Sequence, residues 1–125
     1  MLILSHYIFS HELKPLANQV SVEDVKVGAR KVLNGLAIEI KSPGSFPGIK
    51  FYKIRIGSHH QARMIVFLVL ENQDVVPILV RLKKDKVMGE NMAMNNPQVR
   101  KQLNSNLEHV FVDIRNNGYQ EIDLM

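Results

Sequence analysis

Hydrophobic positions along the chain change period twice. At Phe9, Leu13 and Leu16 they stand four and three apart, one face of a short helix whose extent Pro15 restricts. Ser21, followed by Glu23 and Asp24, is a helix start, and Val22, Val25, Ala29, Val32, Leu33, Leu36 and Ile40 then share one stripe. That stripe favours a helix carried to Ile40. Gly35, and the alternation of Leu36, Ile38 and Ile40 with Ala37, Glu39 and Lys41, leave a competing reading in which the helix stops at Asn34 and extended chain follows.

After the punctuated loop Ser42-Pro-Gly-Ser-Phe-Pro-Gly the period shortens to two. Phe51 to Gly57, Arg63 to Leu70 and Val75 to Leu82 read as strands, joined by Ser58-His-His-Gln-Ala and Glu71-Asn-Gln-Asp, both short enough for hairpins. Met64 to Leu70 is apolar throughout, as in a central strand covered on both faces, while Pro77 pushes the third strand towards an edge or a bulge. Lys83 to Asn96 is polar and rich in methionine. Pro97 after Asn96 then opens a helix with Val99, Leu103, Leu107, Val110, Phe111 and Ile114 on one stripe, which Asn116-Asn-Gly closes. An N-terminal helical pair, a small antiparallel sheet and a C-terminal helix define an α+β domain. One domain is expected over residues 1–125, with a core in 1–90 and a C-terminal helix and tail in 97–125.

Composition narrows the chemistry more than the shape. With 46% hydrophobic and 22% charged residues the chain can bury an ordinary core, so disorder is not expected. The absence of cysteine excludes disulfide scaffolds, thiolate zinc sites and thiol nucleophiles. A formal charge of +4 suits a phosphate-rich partner or an acidic protein without requiring either. The apolar start, Met1 to Phe9, lacks a basic leading segment and soon meets His11, Glu12 and Lys14, so neither a signal peptide nor a membrane span is expected. A soluble, cytoplasmic protein is the simplest expectation.

Residues 52 to 63 hold the densest chemistry. In an extended strand Tyr52, Ile54 and Ile56 leave one face, while Lys53 and Arg55 stand together on the other, where a hairpin return adds Arg63. Guanidinium and ammonium groups so placed can hold a phosphodiester and stabilise charge on it under attack. Equally, exposed strand faces are often basic without a ligand. Arg81 with Lys83, Lys84 and Lys86 extends the same phosphate track or forms a solvated charge run around Asp85. His59 and His60, in the first turn, can move a proton near neutral pH or simply face water. No histidine pair at helical spacing or carboxylate cluster accompanies them, so no metal and no cofactor is expected. His6, His11 and His109 have weaker claims. Met88, Met92 and Met94 cover the end of the core or form an adaptable contact surface. Neither a Gly-rich phosphate loop nor a nucleophile elbow is present.

In this order of elements the chain resembles the RelE/ParE superfamily of bacterial toxins. The resemblance is carried by Phe9-x-x-x-Leu13-x-x-Leu16, then Tyr52-Lys53-Ile54-Arg55-Ile56-Gly57, Arg63 at the start of the next strand, and Val75 to Leu82 leading into Lys83-Lys84-Asp85-Lys86. It covers residues 48 to 86 best. The resemblance implies the toxin of a type II toxin-antitoxin pair, a metal-independent endoribonuclease that cleaves messenger RNA, often on the ribosome, and is neutralised by a cognate antitoxin protein. Carried over by position, the catalytic set is Lys53, Arg55, Arg63, Lys84 and His60, and the RNA-binding set Lys83, Lys86, His59 and Arg81. The implied mechanism is attack of the 2′-hydroxyl on the adjacent phosphate, with Lys53 or a turn histidine assisting deprotonation and Arg55 and Arg63 stabilising the phosphorane-like state. The tyrosine that RelE-type nucleases carry after the last strand has no counterpart; Glu90 or an asparagine stands there. Two other readings stay open: a ParE-like inhibitor that binds DNA gyrase without cutting nucleic acid, and a toxin-fold interaction module without toxicity.

Overall fold

A computed structural model describes residues 1–88 and 92–125; Glu90, the position opposite the family's tyrosine, lies outside the described residues. The architecture is α+β. Three helices longer than a turn were expected and, among the described residues, two are found, α2 (Val22–Leu33) and α3 (Pro97–Arg115). The first helical segment is instead a chain of single turns: α1 (His6–Ile8), a π-helical turn Phe9–Leu13 and a 3-10 turn Lys14–Leu16 that admits Pro15.

The sheet is mixed and six-stranded, not the small antiparallel one expected. It is ordered β2 (Ile38–Ile40), β3 (Ile49–Ile56), β4 (Ala62–Val69), β5 (Val75–Leu82), β1 (Leu2–Ser5) and β6 (Tyr119–Ile122). The meander β3–β4–β5 is antiparallel, as its hairpins require. β1 runs parallel to β5 and antiparallel to β6, so what reads as an apolar leader and a trailing tail are neighbouring strands.

The helix that the stripe carries to Ile40 stops at Leu33. Ser21 and Asp24 form the reciprocal cap at its start, at 3.1 and 2.9 Å. At its other end Gly35 takes φ 74°, a left-handed conformation that ends the helix cheaply. Leu36 and Ile38 consequently leave the core, 71% and 66% exposed, and Ile38–Ile40 pairs with Lys53 to Phe51 as an edge strand.

The two long helices cover opposite sheet faces. At Gly28 of α2 a Cβ would stand 2.6 Å from Ile56 and 2.8 Å from Met64, so only glycine lets this helix approach so closely. On the other face Phe111 of α3 lies 5.7 Å from Phe67, which lies 6.1 Å from Phe51, with Phe46 of the preceding loop completing the cluster. β4 is central and buried on both faces, as its unbroken apolar run predicts. Met88 and Met92 are buried against the core.

Pro77 sits at a register shift opposite Val66, inside the sheet and not at its edge. Its strand nonetheless has an open side, because β1 reaches only Val75. Two side chains close it. Glu12, from the π-helical turn, accepts from the Val80 N–H at 2.8 Å, and the Asn106 side chain of α3 donates to the Ile78 carbonyl at 2.8 Å. Both are buried, and together they supply what a further strand would have supplied. No helix among the described residues is long and apolar enough to cross a membrane.

Candidate functional site

The strand registers set three arginines in a row. Arg55 of β3 pairs across to Arg63 of β4, which pairs across to Arg81 of β5, and Lys53 lies two residues along on the same face. Like charges directly opposite one another repel, so each arginine needs its own compensation. Arg81 has Glu12: its Nη2 donates to one carboxylate oxygen at 2.7 Å and its Nε to the other at 3.2 Å. Burial pulls the Arg81 pKa down, but the hydrogen bonds and charge of Glu12, with Asp85, outweigh it and the net shift is upward. Arg63 is only 4% exposed, and its Nη1 donates to the backbone carbonyls of His60 at 2.8 Å and Ala62 at 3.3 Å. Arg55 is exposed to water.

Lys53 shares the resulting field. Partial burial lowers its pKa, and the positive charges of Arg63 and then Arg55 lower it further. An ammonium so placed releases its proton more readily than an ordinary lysine and gains most from an incoming phosphate.

Between β3 and β4 the chain turns through three left-handed residues. Gly57 is at φ 84°, His59 at 54° and His60 at 53°. Glycine adopts such angles freely, whereas two successive histidines hold them only because the surroundings impose it. Three contacts do so: the Arg63 bond to the His60 carbonyl, the Gln61 side-chain amide to the Gln19 carbonyl at 2.7 Å, and the Lys83 N–H to the Gln61 carbonyl at 2.7 Å.

This turn sends its two imidazoles to different places. His60 lines a cleft of about 610 Å³ with Lys53, Arg55, Arg63, Lys31, Leu36 and Ile38. His59 lines another, of about 430 Å³, with Lys83, Lys84, Gln19, Gln61 and Leu82. Four of the five residues read as catalytic therefore meet in one cleft, and the fifth, Lys84, stands in the other. Arg81 belongs to neither, being held by Glu12. Lys86 is exposed within a turn in which Asp85 accepts from the Val87 and Met88 N–H groups at 2.9 and 3.0 Å.

Two contributors are absent from the sequence reading. Lys31 of α2 donates to the Arg55 carbonyl at 3.5 Å, closing the β3 edge where β2 has ended. Glu12 is a carboxylate four residues after buried Ile8 and beside buried Leu13, so its place on the apolar side of its turn was the available signal. His11 and His109, which had weak claims, stack on either side of Tyr7 with ring centroids 4.1 and 4.0 Å away, joining the first helical segment to α3.

The Lys53 cleft thus combines an exposed guanidinium, an ammonium of lowered pKa and an imidazole around one volume. No family model, no curated protein and no solved structure matches the chain.

Proposed function

We propose that this protein is the toxin of a type II toxin-antitoxin pair, a cytoplasmic metal-independent endoribonuclease acting on messenger RNA, on a RelE/ParE-like fold. The observation that carries the reading is the meeting of Lys53, Arg55, His60 and Arg63 in one cleft. Arg55 and the Lys53 ammonium bind the phosphate; as the 2′-oxygen attacks phosphorus, the neutral His60 imidazole takes its proton, and the bond to the 5′-oxygen breaks to leave a 2′,3′-cyclic phosphate and a 5′-hydroxyl end. The Lys53 ammonium gives its proton to the leaving 5′-oxygen, and exchange with water returns both groups to their starting forms. A cognate antitoxin would cover this basic surface.

Induced expression in bacteria, with RNA ends mapped for wild type and for Arg55→Ala, tests the proposal. Growth arrest with new cyclic-phosphate ends in wild type, lost in the variant, is the expected result. Growth arrest without new ends rules out cleavage. A second reading, a basic interaction module that does not cut RNA, is favoured by the engagement of Arg81 with Glu12 and of Arg63 with backbone carbonyls. It predicts RNA binding without growth arrest.

A further inference from the structure

The cleft on the far side of the turn differs in kind from the first. Around Leu82, which is half-buried, stand His59, Gln19, Gln61, Lys83 and Lys84. A bare phosphate would use only the lysines. A planar heterocycle with a polar edge and an attached phosphate would use all of them: an apolar wall and a ring to stack on, amides for its edge, and cations for its charge.

Part of this arrangement is fixed in advance. The Gln61 amide nitrogen is committed to the Gln19 carbonyl, which leaves its side-chain carbonyl oxygen to accept from a ligand N–H. The Gln61 backbone carbonyl holds the Lys83 N–H, so the turn and the first residue after β5 move as one piece. His59 is presented by a left-handed backbone, and Gly57 beside it could carry a side chain only under strain, with Gln61 Cγ 3.4 Å from the Cβ position. The backbone angles that set His60 over the phosphate cleft are the ones that set His59 here.

We infer that this cleft is a nucleotide subsite, which takes a base against His59 and Leu82 and its phosphate on Lys83 and Lys84. The inference rests on the RNA reading above and deepens it, since it gives the protein a place to select the base next to the phosphate held by Lys53 and Arg55. Stacking tolerates every base, and the Gln61 acceptor adds a preference among them.

The test is an NMR titration of the ¹⁵N-labelled full chain with the four ribonucleoside 5′-monophosphates, using ribose 5-phosphate and inorganic phosphate as controls. At least one nucleotide is expected to shift the Gln61 side-chain amide and the Lys83 and Lys84 backbone signals, and to bind about tenfold more tightly than ribose 5-phosphate, the smaller end of what one base stack contributes. His59→Asn keeps a residue that accepts the left-handed backbone but removes the ring, and should abolish that advantage while inorganic phosphate still shifts the Lys53 and Arg55 signals. Nucleotides that bind no better than ribose 5-phosphate overturn the inference, as do nucleotides that shift only the Lys53 cleft or bind His59→Asn as they bind wild type. Tight nucleotide binding here without new RNA ends in cells upholds the subsite and removes the cleavage reading instead.

Discussion

Lys53 is the residue whose behaviour depends most on its neighbours. Its pKa is lowered by burial first, then by Arg63 and Arg55, from an ordinary 10.5. Charged Lys53 therefore costs the fold stability at every pH below its folded pKa, and the cost fades as pH rises from that value towards 10.5, where the unfolded chain also loses the proton. Removing one neighbouring charge should move the titration back up: in Arg55→Ala the Lys53 ¹³Cε midpoint is expected at higher pH than in wild type. An unmoved midpoint would mean that Arg55 exerts no field on the ammonium. Bound RNA should act in the same upward direction, because a phosphate favours the charged form. Strand parity alone put Lys53, Arg55 and Arg63 on one face. What parity could not give was the depth of Arg63, which the turn carbonyls draw in, or the loss of Arg81 to a glutamate 69 residues away in sequence.

At the scale of elements, the open side of β5 depends on one carboxylate. Glu12→Ala would leave the Val80 N–H and the Arg81 guanidinium without their partner in a buried setting, and should lower stability by about 3 kcal/mol in urea unfolding, at the small end for broken buried pairs because Arg81 reaches water. Glu12→Gln keeps one acceptor for Val80 and should lose less. Equal losses in the two variants would place the value of Glu12 in its charge alone. β3 and α3 were legible because each repeats its period over eight or more residues, and β4 and β5 because each is an apolar run of strand length bounded by turn residues. β1, β2 and β6, at three or four residues, are too short to show one, and β2 also continued the phase of the helix before it. The π-helical turn was hidden for a related reason, since Phe9, Leu13 and Leu16 fit an ordinary helical face, yet Phe9 is 44% exposed and the buried side belongs to Glu12 and Leu13.

For the whole molecule, the consequence of the arginine row is a cationic end to the sheet, from which RNA affinity should fall with salt. Each phosphate neutralised contributes a slope of about 0.7 in log affinity against log salt for a single strand, so Arg55→Ala should reduce the slope by about that much in fluorescence anisotropy with labelled RNA. Arg81→Gln, confirmed folded by circular dichroism, should leave it unchanged because Glu12 already neutralises that charge. An equal reduction in both would make Arg81 a phosphate contact after all. The pairing of β1 with β6 matters on a different axis, that of time. Leu2 is synthesised on the order of ten seconds before its partner Ile122. The meander of β3, β4 and β5, whose partners are close in sequence, can pair during that interval, before β6, which flanks β1, and the helix that covers Phe67 are made. The nascent chain therefore carries its arginine row before it carries the strand and the helix that complete the fold around it.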